Sequence, residues 1–131
     1  MALAEDIDRG RRLLQTYTWT QIGSNIVGEA AGDKSGSVSI SSDGTRVAIG
    51  AYGNGVNYGK GAVGHVRVYA ESGGVWTQVG EDIDGESAGD YSSRSVSMSS
   101  DGTRVAIGAV GNDGNGISAG HVRVYAESGG T

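Results

Sequence analysis

Cysteine, proline and phenylalanine are all absent from this chain of 131 residues. Without cysteine there is no disulfide framework and no thiolate zinc site. Positive charge is scarce too: 10 Lys+Arg stand against 15 Asp+Glu, for a net charge of −5. An acidic chain does not take nucleic acid or an anionic membrane as its default partner. No apolar run approaches the ~20 residues that a membrane-spanning helix needs. The opening Met-Ala-Leu-Ala-Glu-Asp lacks the basic and apolar regions of a secretion signal. Neither a signal peptide nor a transmembrane segment is therefore expected, and the compartment is left open. What is abundant is glycine, with 25 residues, or about 19% against a usual value near 7%.

Self-similarity organises the rest. The stretch 19–75 recurs as 76–131, after a distinct tail of residues 1–18. Both copies open on Trp-Thr-Gln-(Ile/Val)-Gly. Both contain Ser-Ser-Asp-Gly-Thr-Arg-Val-Ala-Ile-Gly-Ala, at 41–51 and 99–109. Both close on Gly-His-Val-Arg-Val-Tyr-Ala-Glu-Ser-Gly-Gly, at 64–74 and 120–130. Length differences fall at Lys34–Ser37 against Tyr91–Ser95, and after Ala51 and Ala109, which marks these places as loops. Copies this similar imply a recent duplication or an engineered chain.

Within each copy the apolar period is two, the period of a strand. Ser95-Val96-Ser97-Met98-Ser99 alternates small polar with apolar residues. Val105, Ile107 and Ala109 share one face, and so do Val122 and Val124. Asp-Gly between alternating runs (Asp43-Gly44, Asp101-Gly102) signals a tight hairpin, because glycine accepts the positive φ such turns need. The predicted strands are 37–41, 46–51, 65–70, 76–80, 94–99, 104–109 and 121–126, with Trp19–Gly23 as an eighth. Four short antiparallel strands make one unit. Bulky Val, Ile and Met lie on one face of the inner strands, and Ser, Ala and Gly on the other. Such sheets can stack bulky face into shallow face, which is the arrangement of a β-propeller.

In the tail, Leu3, Ile7 and Leu14 lie near one helical face. Glu5, Asp6 and Asp8 precede Arg9, Arg11 and Arg12, the order a helix dipole favours. A short helix is predicted there, with the arginines on a solvated face; the match of Glu5-Asp6-Ile7-Asp8 to Glu81-Asp82-Ile83-Asp84 makes a remnant of another blade the rival reading.

The run Ser-Ser-Asp-Gly-Thr-Arg-Val-Ala-Ile-Gly-Ala followed by Gly-His-Val-Arg-Val-Tyr resembles β-propeller blades. Its strand–Asp-Gly–strand core is similar to WD-repeat blades. Gly-Asp-Tyr-Ser…Ser-Val-Ser (89–97) with Ile-Gly-Ala resembles FG-GAP-type blades. The resemblance covers residues 19–131 and implies an all-β fold: a propeller of four-stranded antiparallel blades, two per chain, closed by homo-oligomerisation. Two departures bear on function. Tyr69-Ala70 and Tyr125-Ala126 stand where WD repeats end in Trp-Asp. The first hairpin carries one carboxylate (Asp43, Asp101) where calcium-binding FG-GAP blades have a long acidic loop. A hard cation of that size takes six to eight oxygens, so no tightly held calcium, and no metal or other cofactor, is expected.

No catalytic constellation emerges, and the chain is not read as an enzyme. His65 and His121 open equivalent strands without a nucleophile in register. Glu81, Asp82, Asp84 and Glu86 cluster, but the first copy has Ser24, Asn25 and Val27 at three of these places, so a solvated loop accounts for them. Gly53–Gly64 lacks the Lys-(Ser/Thr) ending and the following helix of a phosphate loop. The most plausible ligand surface is the pair of loops 51–64 and 109–120, with Tyr52, Asn54, Asn57, Tyr58, Asn112, Asp113 and Asn115. Aromatic rings beside amides suit sugars, and some FG-GAP-type propellers are lectins. A multivalent glycan-binding module is therefore the alternative to a structural or interaction scaffold.

The principal expectation concerns assembly. Two blades cannot close a ring, since propellers take roughly four to eight. The repeat begins with an outer strand at Trp19 and ends on a third strand, His121–Ala126, that lacks its fourth. Trp19, Thr20, Gln21 and Ile22 of one copy should then complete the strand of His121, Val122, Arg123, Val124 and Tyr125 in the next. A homotetramer with eight blades is favoured, and a homotrimer with six comes second.

Overall fold

The computed structural model describes residues 2–8, 11–55 and 61–129. Among these, all regular structure is β: ten strands and no helix. The strands are β1 (Ala2–Asp8), β2 (Arg11–Tyr17), β3 (Ser35–Ile40), β4 (Arg46–Ala51), β5 (His65–Ser72), β6 (Val75–Gln78), β7 (Ile83–Asp84), β8 (Ser92–Met98), β9 (Arg104–Ala109) and β10 (His121–Ala126). They form three antiparallel sheets. Among the described residues none of the three closes into a barrel.

The tail differs from its prediction. β1 pairs with β2 from Ala2↔Tyr17 to Asp8↔Arg11, which is a hairpin and not a helix. An isolated helix of this length is marginal in water even for alanine-rich sequences, and Gly10 in its middle weakens it by about 1 kcal/mol against Ala. Only Arg9 and Gly10 separate the two strands in sequence, the spacing of a two-residue hairpin.

The first large sheet is a meander, β3-β4-β5-β6, with β7 pairing to the same edge of β5 as β6. β6 covers Tyr69 to Ser72, and β7 covers His65 and Val66. The outer strand is thus one stretch, 75–84, interrupted at its middle. The second sheet is β10-β9-β8 and stops at three strands. The predicted inner strands stand within one to two residues of their observed ends. The predicted strand at Trp19–Gly23 is not formed. The outer side of β5 is already taken by β6 and β7, and the Trp19 segment is not paired with β10 of its own chain.

The Ser-Ser-Asp-Gly-Thr hairpins are self-contained devices. Asp43 Oδ1 accepts hydrogen bonds from Ser41 Oγ (2.8 Å), Thr45 N–H (3.0 Å) and Thr45 Oγ1 (2.8 Å). Asp101 repeats the set with Ser99 and Thr103. Gly44 and Gly102 carry the positive φ, +75° and +74°.

The two large sheets stack face to face. Cross-strand partners share a face, so Ser37, Ser39, Ala48, Gly50, Val66 and Val68 line one side of the first sheet. Against them pack Val96, Met98, Val105 and Ile107 of the second sheet. The shared core is Ala48, Val66, Met98, Val105 and Ile107, with Val68, Ile83, Val96 and Tyr125 at its margin. Two polar contacts cross the seam: Ser39 Oγ accepts from Met98 N–H (2.9 Å), and Ser37 Oγ donates to Ser93 C=O (2.6 Å), while the buried Ser93 Oγ has no hydrogen-bond partner among the described residues. Glycine is required at position 50. A Cβ there would lie 2.5 Å from Ser93 O and 2.7 Å from Ser93 Cβ.

Candidate functional site

The stack uses only half of its own surfaces. Val66 is 0% exposed beneath the second sheet, while its counterpart Val122 is 68% exposed. Met98 is 9% exposed, while its counterpart Ile40 is 58% exposed. The first sheet therefore presents an uncovered bulky face, with Val38 and Ile40. The second presents an uncovered shallow face, with Ser95, Ser97, Val122 and Val124. These faces have the same composition as the two that already meet inside the chain. They are apolar patches of the kind that monomers avoid.

Among the described residues the outer edge of β10 is also unpaired. Among the predicted assembly residues, His121, Arg123 and Tyr125 are half-buried toward the first sheet, and Val122 and Val124 face outward. Arg123 is paired with Glu86 and donates to Tyr125 OH (3.2 Å). At the other end of the chain Trp19 is 97% exposed and Ile22 58%. Thr20 and Gln21 are exposed, with Gln21 bonded to Asn25.

One polar cluster was not read from the sequence as a unit. Arg67 donates to Asp82 through Nε (2.8 Å) and a terminal nitrogen (2.9 Å), and to Glu29 (2.6 Å). Gln78 adds a bond to Asp82 (2.7 Å). The bond from Arg67 holds the Asp82 carboxyl down to about 2, and Asp82 in turn raises the Arg67 guanidinium. Asp82 and Glu86 are thus arginine partners; Glu81, Asp84 and Glu86 are exposed, as a solvated loop implies, and only half-buried Asp82 departs from that reading. The signal was present: both copies keep His-Val-Arg and the glutamate at 29 and 86. Buried His65 brings Nδ1 to 4.0 Å from Asp82. Glu29, His65 and Asp82 each place one donor atom within 4.8 Å of the others. A cation at this point would have to displace the Arg67 guanidinium from both carboxylates.

The predicted sugar surface splits. Asn54 donates to Asp33 (3.2 Å) and Glu29 (3.1 Å). Asn112 is buried and donates to Asp90 (3.0 Å), while its side-chain oxygen accepts from Gly114 N–H. Both amides are clamps: Asn54 ties the loop after β4 to the loop before β3, and Asn112 ties the loop after β9 to the loop before β8. Asp113 accepts from Ser118 N–H (2.7 Å), and Asn115 is exposed. Tyr52 has Lys34 and Arg94 each 5.4 Å from its ring centre, a cation–π arrangement that already uses the ring. Asn57 and Tyr58 lie outside the described residues. No family model, curated protein or solved structure matches this chain.

Proposed function

We propose that this chain is a non-catalytic self-assembling scaffold, a two-blade unit of a β-propeller that closes into a ring with copies of itself. The observation that carries the reading is the difference between equivalent positions: Val66 0% against Val122 68% exposed, and Met98 9% against Ile40 58%. The chain holds one finished bulky-into-shallow contact and one unfinished half at each end. A second copy supplies both missing halves by the same rotation that relates the two sheets. Such a contact is head-to-tail, so it closes into a ring or runs on as a fibre. Two blades per chain allow six, eight or ten blades and exclude seven. Four chains with eight blades is the favoured state, and three chains with six the second.

The glycan-binding alternative draws less support, because Asn54, Asn112 and Tyr52 are engaged within the chain. The test is truncation. Deleting residues 1–23 should abolish the soluble oligomer, while deleting 1–16 should spare it. An oligomer that survives loss of 1–23 unchanged would refute strand completion by the Trp19 segment.

A further inference from the structure

We propose that the cleft beside Gly80 is a socket for the indole of Trp19 from a second copy. The proposal rests on the ring reading and adds its anchoring contact. Its pattern is present within the chain. Trp76 of β6 lies opposite Glu71 of β5, and its indole N–H donates to Ile22 C=O at 2.9 Å. Gly23 lies beneath the ring: a Cβ there would meet Trp76 Cδ1 at 3.0 Å and Gly74 O at 2.6 Å. Fifty-seven residues on, Val79 and Gly80 repeat Ile22 and Gly23. The backbone is the same, with φ of +72° at Gly23 and +71° at Gly80. The surroundings are not: nothing lies within 4 Å of a Cβ at Gly80.

What stands at Gly80 is a cleft of about 280 Å³ between the two large sheets, bounded by Val79, Gly80, Glu81, Ile83, Tyr125 and Glu127. Tyr125 is the counterpart of Tyr69, and Ile83 of Ile26, both of which adjoin Trp76. The residue that repeats Trp76 is Trp19, which is 97% exposed in its own chain. Carrying the β5–β6 register over to β10 places Trp19 of the second copy opposite Glu127, Thr20 opposite Ala126 and Gln21 opposite Tyr125. The indole then enters the cleft and donates to Val79 C=O. A buried tryptophan with its N–H satisfied is the kind of anchor that dominates an interface.

Gly80→Asn tests this, because asparagine tolerates a positive φ and its side chain has room in the isolated chain. The variant should fold and melt like the parent at high dilution, while the concentration at the midpoint of assembly rises at least tenfold. Gly73→Asn, at an open positive-φ turn, should leave that midpoint unchanged. Fluorine NMR of the full chain carrying 5-fluorotryptophan, assigned with Trp19→Phe, gives a reading that does not depend on the folding of Gly80→Asn. In the oligomer the Trp19 resonance should lose its H2O/D2O isotope shift. Assembly of Gly80→Asn at the parent's midpoint, or a Trp19 resonance fully exposed in the oligomer, overturns the socket and leaves the ring standing. A parent chain that stays monomeric overturns both.

Discussion

Gly50 and Gly108 occupy the same place in the two sequence copies, yet substitution by alanine should act on different equilibria. At Gly50 a methyl group would stand 2.2 Å from Ser37 Oγ, 2.5 Å from Ser93 O and 2.7 Å from Ser93 Cβ. Two of these atoms belong to the opposing sheet, and one is backbone. The sheets must part to admit it, at about 1–3 kcal/mol for overpacking. Alanine returns about 0.5–1 kcal/mol over glycine within a strand. The net loss for Gly50→Ala is then about 1–2 kcal/mol, or a fall of about 5 °C in the melting point of a domain of this size. At Gly108 the methyl group meets only Ser95 Oγ at 2.5 Å, which a χ1 rotation removes. The face beyond is uncovered, so Gly108→Ala should leave the dilute chain as stable as the parent. In the proposed ring that face would meet the next copy, and the cost of Gly50→Ala should reappear there as weaker association. Urea unfolding followed by circular dichroism, repeated over a hundredfold range of protein concentration, separates the two effects, since association makes stability concentration-dependent. Equal loss of folding stability in both variants at the lowest concentration would refute the argument, because it would mean that the two faces are covered alike.

Further outcomes follow from the same contacts. Ile107→Ala, in the sheet–sheet core at 3% exposure, should cost about 3 kcal/mol of folding free energy by denaturant titration. Ile49→Ala at the equivalent but only half-buried position should cost less, about 1 kcal/mol, in the dilute chain. Asp82 has a folded value of about 2 against 3.8, so its pairing with Arg67 stabilises the fold fully above pH 4, and that contribution is lost as pH falls through 2. With solvent screening of a partly exposed pair this amounts to about 1 kcal/mol. Asp82→Asn should therefore be less stable than the parent at pH 7 and equal to it near pH 2; a pH-independent gap would contradict the pairing.

The parts of the fold that a period-two pattern determines were legible in the sequence. Val105-Ala106-Ile107 and Val122-Arg123-Val124 alternate cleanly, and Asp-Gly fixes the turns between β3 and β4 and between β8 and β9. The bulky and shallow faces could also be read from side-chain size alone. The tail could not. Leu3, Ile7 and Leu14 fit a helical stripe as well as a pair of strands, and charge order favoured the helix. β7 was missed because two residues, Ile83 and Asp84, carry no period. The Arg67–Asp82–Glu29 cluster joins residues 15 and 38 positions apart, and only the register of the outer strand brings them together. The open cleft at Gly80 was invisible for a simpler reason. Sequence shows that Gly23 and Gly80 are alike, whereas their difference lies in what packs on them.

Mass in solution tests the central claim most directly. Light scattering or native mass spectrometry of the full chain, of 13.3 kDa, at micromolar concentration should give one closed species built from whole two-blade units. Four chains, about 53 kDa, is the favoured result and three chains, about 40 kDa, the second, within the range of blade numbers that propellers adopt. A stable, well-folded monomer of 13.3 kDa at that concentration would contradict the account.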